Sequence, residues 1–136
     1  LVNERGTIVG AESAAHAEMR MEKPLWAEQD PEDWWRASAE AIRAVLGKTG
    51  VKGSDVRGLG FSGQMHGLVM LDAAGEVIRP SLIWCDQRSQ AQVDAIHGKL
   101  GRERVVSLTA NPALTGFTLP KLLWVRDNDP RAYERL

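Results

Sequence analysis

Two polar clusters stand where apolar runs end: Gln64-Met65-His66 follows Val56–Phe61, and Trp84-Cys85-Asp86-Gln87-Arg88 follows Ser81–Ile83. In open α/β sheets, ligands bind in the crevice outside the carboxyl ends of the strands. The residue types suit a polyol. A sugar presents hydroxyls that need both donors and acceptors, and C–H faces that pack on an aromatic ring. His66 and Gln64 are therefore candidates to bond hydroxyls, and Trp84 to supply the ring. Each residue also has a scaffold reading. His66 is then a histidine satisfied within the fold, Trp84 is core, and Cys85 is an inert, partly buried thiol. Asp86 becomes a helix cap and Arg88 its solvated partner. Trp34, Trp35 and Trp124 sit at helical spacing and read as core.

Other chemistries lack their residues. There is no Gly-rich phosphate loop, no paired Cys or His at metal-binding spacing and no nucleophile elbow. Across 136 residues, 43% are apolar and 26% charged, the make-up of an ordinary globular protein. Lys and Arg number 17 against 18 Asp and Glu, with no basic stripe, so nucleic acid is not an expected partner. No apolar run approaches the roughly 18 residues of a membrane span. Cys85 is the single cysteine, which excludes an internal disulfide and fits a reducing compartment. The expected location is the cytoplasm.

The elements that must position these residues read as follows. Leu1–Val9 forms a hairpin turned at Gly6. A polar, irregular stretch leads to Gln29, and Asp30-Pro31, with Glu32 and Asp33 behind, starts a helix. Its apolar face carries Trp34, Trp35, Ala41, Ile42, Val45 and Leu46, and Gly47 and Gly50 end it. Val56–Phe61 reads as a strand that Gly58 and Gly60 leave bare on one face. Leu68–Leu71, apolar on both faces, reads as a buried strand. Asp72–Gly75 turns the chain to Val77-Ile78, and Ser81–Trp84 extends beyond Pro80. A helix from about residue 88 to 100 carries Val93, Ile96 and Leu100, and Asn111-Pro112 marks a loop. A last full helix spans about 118 to 126, and a further helical pattern begins at Pro130. This order predicts an α/β fold with a mixed sheet.

Four stretches, in order, resemble the FGGY family of carbohydrate kinases: Pro24–Trp35, Gly60–Gly67, Ile83–Arg88 and Gly116–Val125. The resemblance implies a ribonuclease-H-like domain of the actin-like ATPase superfamily. It implies residues 1–136 as part of the N-terminal domain, truncated at both ends, with the first strand missing. It further implies transfer of a phosphoryl group from ATP, with Mg²⁺, to a small sugar. The Gln64-Met65-His66-Gly67 form points to D-xylulose, giving xylulose 5-phosphate; glycerol-type members carry Arg-Glu in place of Met65-His66. Ribulose, gluconate or another polyol remains an alternative acceptor, as does a non-catalytic sugar-binding module. By the resemblance Met65 and His66 fall on the sugar-contacting pair and Trp84 on a pocket tryptophan. Asp86 and Arg88 match a supporting Asp-x-Arg, and Lys121 and Trp124 a signature helix that they stabilise. The Asp-x-Gly-Thr phosphate turn and the general-base aspartate fall outside the sequence. No catalytic, cofactor or metal residue is therefore expected in the chain, and alone it should bind no nucleotide and catalyse nothing.

Overall fold

A computed structural model describes residues Leu1–Leu136. In chain order the elements are β1 (Glu28–Gln29), α1 (Pro31–Thr49), a 3-10 turn (Gly53–Asp55), β2 (Ser81–Leu82), α2 (Gln90–Leu100), α3 (Arg102–Thr109), α4 (Thr118–Asn128) and α5 (Pro130–Tyr133). They fall into two units, one of Leu1–Ala17 with Glu32–Gly63 and one of Glu18–Pro31 with Gln64–Leu136. No helix is long and apolar enough to cross a membrane.

The first unit is built on α1. Pro31 opens the helix and Glu32 and Asp33 occupy its first turn, where their charge complements the helix dipole. The expected hairpin forms, with Val2 bridged to Ile8. Asn3 Oδ1 accepts from the backbone N–H of Arg5 and of Thr7, each at 3.0 Å, which ties the turn. The segment after it is laced to α1: Arg36 Nη2 donates to Ala15 O at 3.0 Å, and Lys48 pairs with Glu12. Asp33 accepts from the Ala17 N–H, and that bond, helped by Arg36, holds its carboxyl below the usual range.

Three expectations for this unit need correction. The helix passes through Gly47 and ends only at Gly50, whose φ of 69° reverses the chain. The buried face is also narrower than its apolar residues suggest. Ala37 is buried and Trp34, Ala41, Val45 and Leu46 are half-buried, whereas Trp35 and Ile42 are exposed. The strand expected at Val56–Phe61 does not form. Residues 57–67 make no backbone–backbone hydrogen bond, because no other segment of the chain lies beside them in register. A strand exists only as a member of a ladder, so the intrinsic preference of Val56, Leu59 and Phe61 is not enough.

The second unit holds the sheet. β1 and β2 pair antiparallel, Glu28 opposite Leu82 and Gln29 opposite Ser81. Single bridges widen it, Arg20 to Glu28 on one side and Leu68 to Leu82 on the other, and Leu71 to Val77 closes the Asp72–Gly75 hairpin. Asp72 Oδ1 takes the N–H of Ala74 and of Glu76 at 3.0 Å while Gly75 supplies φ of 84°, so the expected turn is present. The pairing within this chain is antiparallel throughout.

Leu68–Leu71 was expected to be covered on both faces. Instead Leu68 and Met70 are buried while Val69 and Leu71 are exposed, the alternation of a sheet covered on one side. That covered side meets α4 and α5: Leu68, Met70, Leu82, Val125 and Ala132 form one core, with Ile78, Leu122 and Trp124 against it. A second core joins Val93 of α2, Val105 of α3 and Ala113. Helix α3 fills a stretch the sequence left undivided. Its run Arg102-Glu103-Arg104 and a single buried residue, Val105, show almost no apolar period.

Candidate functional site

The loop Gln64–Gly67 leaves the unpaired segment and enters the sheet at Leu68. His66 sits in the left-handed region, φ 64°, a conformation that costs a residue with a side chain roughly 1–2 kcal/mol. Something must hold it there. The His66 carbonyl accepts from Lys121 Nζ at 2.8 Å and from Thr118 Oγ1 at 3.4 Å, both on α4. The imidazole lies 4.6 Å from the Phe117 ring at 50°. Backbone and side chain of His66 are thus both seated on the segment that opens α4.

The same lysine reaches the second polar cluster. Lys121 Nζ also donates to Gly116 O at 2.6 Å. Gly116 lies so close to the Trp84 carbonyl that a Cβ there would come within 2.9 Å of it, a distance backbone oxygen does not tolerate. The two clusters picked out in the sequence therefore meet through Gly116 and Lys121, although 55 positions separate His66 from Lys121. Lys121 is fully buried. Burial pushes its ammonium down to about 8, against the opposing attraction of Asp86 and Cys85.

The four residues proposed for sugar contact are presented unequally. Met65 and Trp84 are 71% and 58% exposed, so both are open to a ligand and Trp84 is not core. Gln64 is also exposed, and its Nε2 donates to Gln29 Oε1 at 2.9 Å, which anchors it beside β1. His66 is exposed as well. All four therefore present polar or polarisable surface outside the sheet, not inside a core.

Asp86 and Arg88 belong to the frame beneath. Asp86 is fully buried; its Oδ2 accepts from the Ala27 N–H at 2.7 Å and from Arg88 Nε at 2.8 Å. Arg88 Nη1 donates to Glu28 Oε1 at 2.7 Å, and Arg79 Nη2 donates to the same oxygen at 2.9 Å. The Arg88 guanidinium stacks 3.9 Å from the Trp26 ring, itself edge-on to Trp124 at 5.4 Å. The Asp86 and Arg88 side chains are buried and those of Glu28 and Arg79 nearly so, a multiply bonded ion cluster that a solvated surface pair would not resemble. It pins β1 to the segment that carries Trp84. Cys85 lies with its Sγ 3.7 Å from the sulfur of Met19.

Sequence reasoning placed Lys121 in α4 as a helix stabiliser and missed its hold on the His66 loop. The available signal was its position four residues before Val125, on the face where both side chains are fully buried. It also read the stretch before Gln29 as irregular, although Glu28 and Gln29 form strand β1 of the sheet.

Comparison with known proteins covers the whole chain. The model of the FGGY family of carbohydrate kinases, N-terminal domain, matches residues 1–136. Xylulose kinase of Escherichia coli strain K12 is 38% identical over 136 residues, covering 100% of this chain and 27% of that protein. Xylulose kinase of Bacillus subtilis strain 168 is 37% identical over 135 residues, covering 99% of this chain and 27% of that protein. The chain thus spans about a quarter of the length of these relatives. A crystal structure described as a xyloylose kinase from Brucella ovis superposes with a TM-score of 0.91 at 34% identity, covering 99% of this chain and 28% of that one.

Proposed function

The chain belongs to the FGGY family of carbohydrate kinases, and from that premise we propose that it forms part of the N-terminal domain of a longer ATP-dependent kinase acting on D-xylulose. Its share of that work is to hold the sugar. The observation that carries the reading is the match to xylulose kinases along the full chain, at 38% identity to the Escherichia coli enzyme. The α/β fold is the family's partial ribonuclease-H-like domain.

In this reading Gln64, Met65, His66 and Trp84 contact the sugar. His66 and Gln64 exchange hydrogen bonds with its hydroxyls, and the exposed Trp84 ring and Met65 thioether pack on its C–H faces. Discrimination among sugars follows from such bonds, because a hydroxyl in the wrong place leaves a desolvated group unpaired. ATP supplies the phosphoryl group and Mg²⁺ stabilises its charge. No three or more His, Cys, Asp or Glu side chains of this chain group to hold a metal ion. The nucleotide is held elsewhere in the kinase, and this chain alone forms no xylulose 5-phosphate.

His66→Ala in the full-length kinase tests the assignment. Loss of a hydrogen bond to a sugar hydroxyl raises the KM for D-xylulose roughly 5- to 150-fold while the KM for ATP stays put. A scaffold histidine gives the reverse, a lower melting temperature with the sugar KM unchanged, and that outcome removes His66 from the pocket. Replacing xylulose with ribulose or gluconate in the same assay decides the acceptor by the ratio of kcat/KM.

A further inference from the structure

Lys121 is fully buried, and its ammonium is bonded to two backbone carbonyls. No carboxylate lies within ion-pair distance of it among the nine salt bridges of the chain. A buried charge without a counter-ion is costly. A methionine or leucine would fill the same volume on α4 without that cost, so packing does not explain a lysine here. What the lysine alone supplies is several donors on one atom, long enough to reach both carbonyls.

The carbonyls it reaches are informative. One belongs to His66, whose left-handed backbone requires restraint. The other belongs to Gly116, which backs directly onto the Trp84 carbonyl. We propose that Lys121 is a positioning residue of the sugar pocket, clamping the turn at His66 to Gly116 so that the Gln64–His66 loop and Trp84 face the acceptor in one fixed arrangement. This rests on the assignment of those residues to the sugar. Lys121 itself touches neither sugar nor nucleotide. Its effect passes through the backbone, since freeing the His66 carbonyl lets the turn relax out of the left-handed region and carries the imidazole and the Met65 side chain away. Thr118 Oγ1, at 3.4 Å, is too distant to hold the carbonyl by itself.

The test uses the full-length kinase and separates positioning from stability. Lys121→Met removes the donors and keeps most of the volume. Val125→Ala, on the same buried helix face, lowers stability without touching the clamp. Lys121→Met is expected to raise the KM for D-xylulose by about 10-fold or more, the loss of a charge-assisted bond, with the KM for ATP unchanged. Val125→Ala is expected to lower the melting temperature and leave both KM values where they were. If Lys121→Met does not fold, Lys121→Gln retains a shorter amide donor and is expected to show a smaller rise in the same KM. The backbone ¹³C shifts of His66, which report its left-handed conformation, are a second readout, expected to move toward extended values in either Lys121 variant and not in Val125→Ala. The proposal is overturned if neither the sugar KM nor those shifts change in the Lys121 variants. Failure of the underlying pocket assignment looks different: His66→Ala then leaves the sugar KM unaltered while the His66 backbone shifts in Lys121→Met still move.

Discussion

At the Lys121 ammonium, burial sets a charge against its surroundings, and the sign of the consequence follows. Its ionisation falls to about 8 from the ordinary 10.5, with Asp86 and Cys85 facing it and opposing the shift. Below about 8 native and unfolded chains both hold the proton, and stability does not change with pH through this group. Between about 8 and 10.5 the unfolded chain still binds a proton that the native one has released, so stability rises with pH across that window. Denaturant midpoints measured across that window should climb in the native protein, and the climb should flatten in Lys121→Met. The ¹³Cε shift of labelled Lys121 gives the ionisation directly. A midpoint near 10.5 would show that the site is wetter than its packing indicates. The neutral amine keeps two N–H donors. The clamp on His66 and Gly116 therefore survives deprotonation, and the sugar KM should not follow this titration.

Among elements, the short strand pair carries more than its length suggests. β1 and β2 share only two residue pairs, yet between them and the Trp84 segment lie Asp86, Arg88, Glu28 and Arg79 in one buried ion cluster. Arg88→Ala leaves the buried Asp86 carboxylate without its ion-pair partner, while Glu28 keeps Arg79, and such a break typically costs about 3–5 kcal/mol. Chemical unfolding should show that loss; a change within about 0.5 kcal/mol, the scale of an ordinary surface substitution, would mean that solvent reaches the cluster. Arg88→Lys should recover only part of it, because an ammonium cannot reproduce the fork geometry or the stacking on Trp26. Helix α1 shows the other extreme. Its start was readable from Pro31, Glu32 and Asp33, but its buried face was not, because Trp35 and Ile42 share the apolar spacing and still face solvent.

For the chain as a whole, backbone pairing is uneven. The amides of Leu68 and Ile78 are bonded within the sheet, whereas those of residues 57–63 have no backbone partner. Hydrogen exchange of this chain should divide accordingly, with residues 57–63 near the intrinsic rate and Leu68 and Ile78 slowed by the stability of their unit. Equal protection in both groups would mean that the 57–63 segment finds a partner in solution. Leu59 and Phe61, 70% and 94% exposed on that segment, add apolar surface without adding core. Net stabilities of whole domains are only about 5–15 kcal/mol, so the chain by itself should unfold at a low midpoint over a broad range. A sharp cooperative transition in dilute solution would contradict that expectation.

The sequence by itself determined what depends on local chemistry and on the ordered words of a family. Pro31 and the acids behind it fix a helix start, Asp72 and Gly75 fix a turn, and four ordered motifs fix the family. These are decided within a few residues, or by identity of residues, and need no knowledge of what packs where. The tertiary structure decided the rest. That Val56–Phe61 stays unpaired, that Glu28 and Gln29 become a strand, and that Arg88 is buried and not solvated all depend on which distant segments lie alongside. The same holds for Lys121. Its type and spacing on α4 mark only a buried position, and its role depends on the carbonyl of a residue 55 positions away, held in a backbone conformation that no local rule assigns to a histidine.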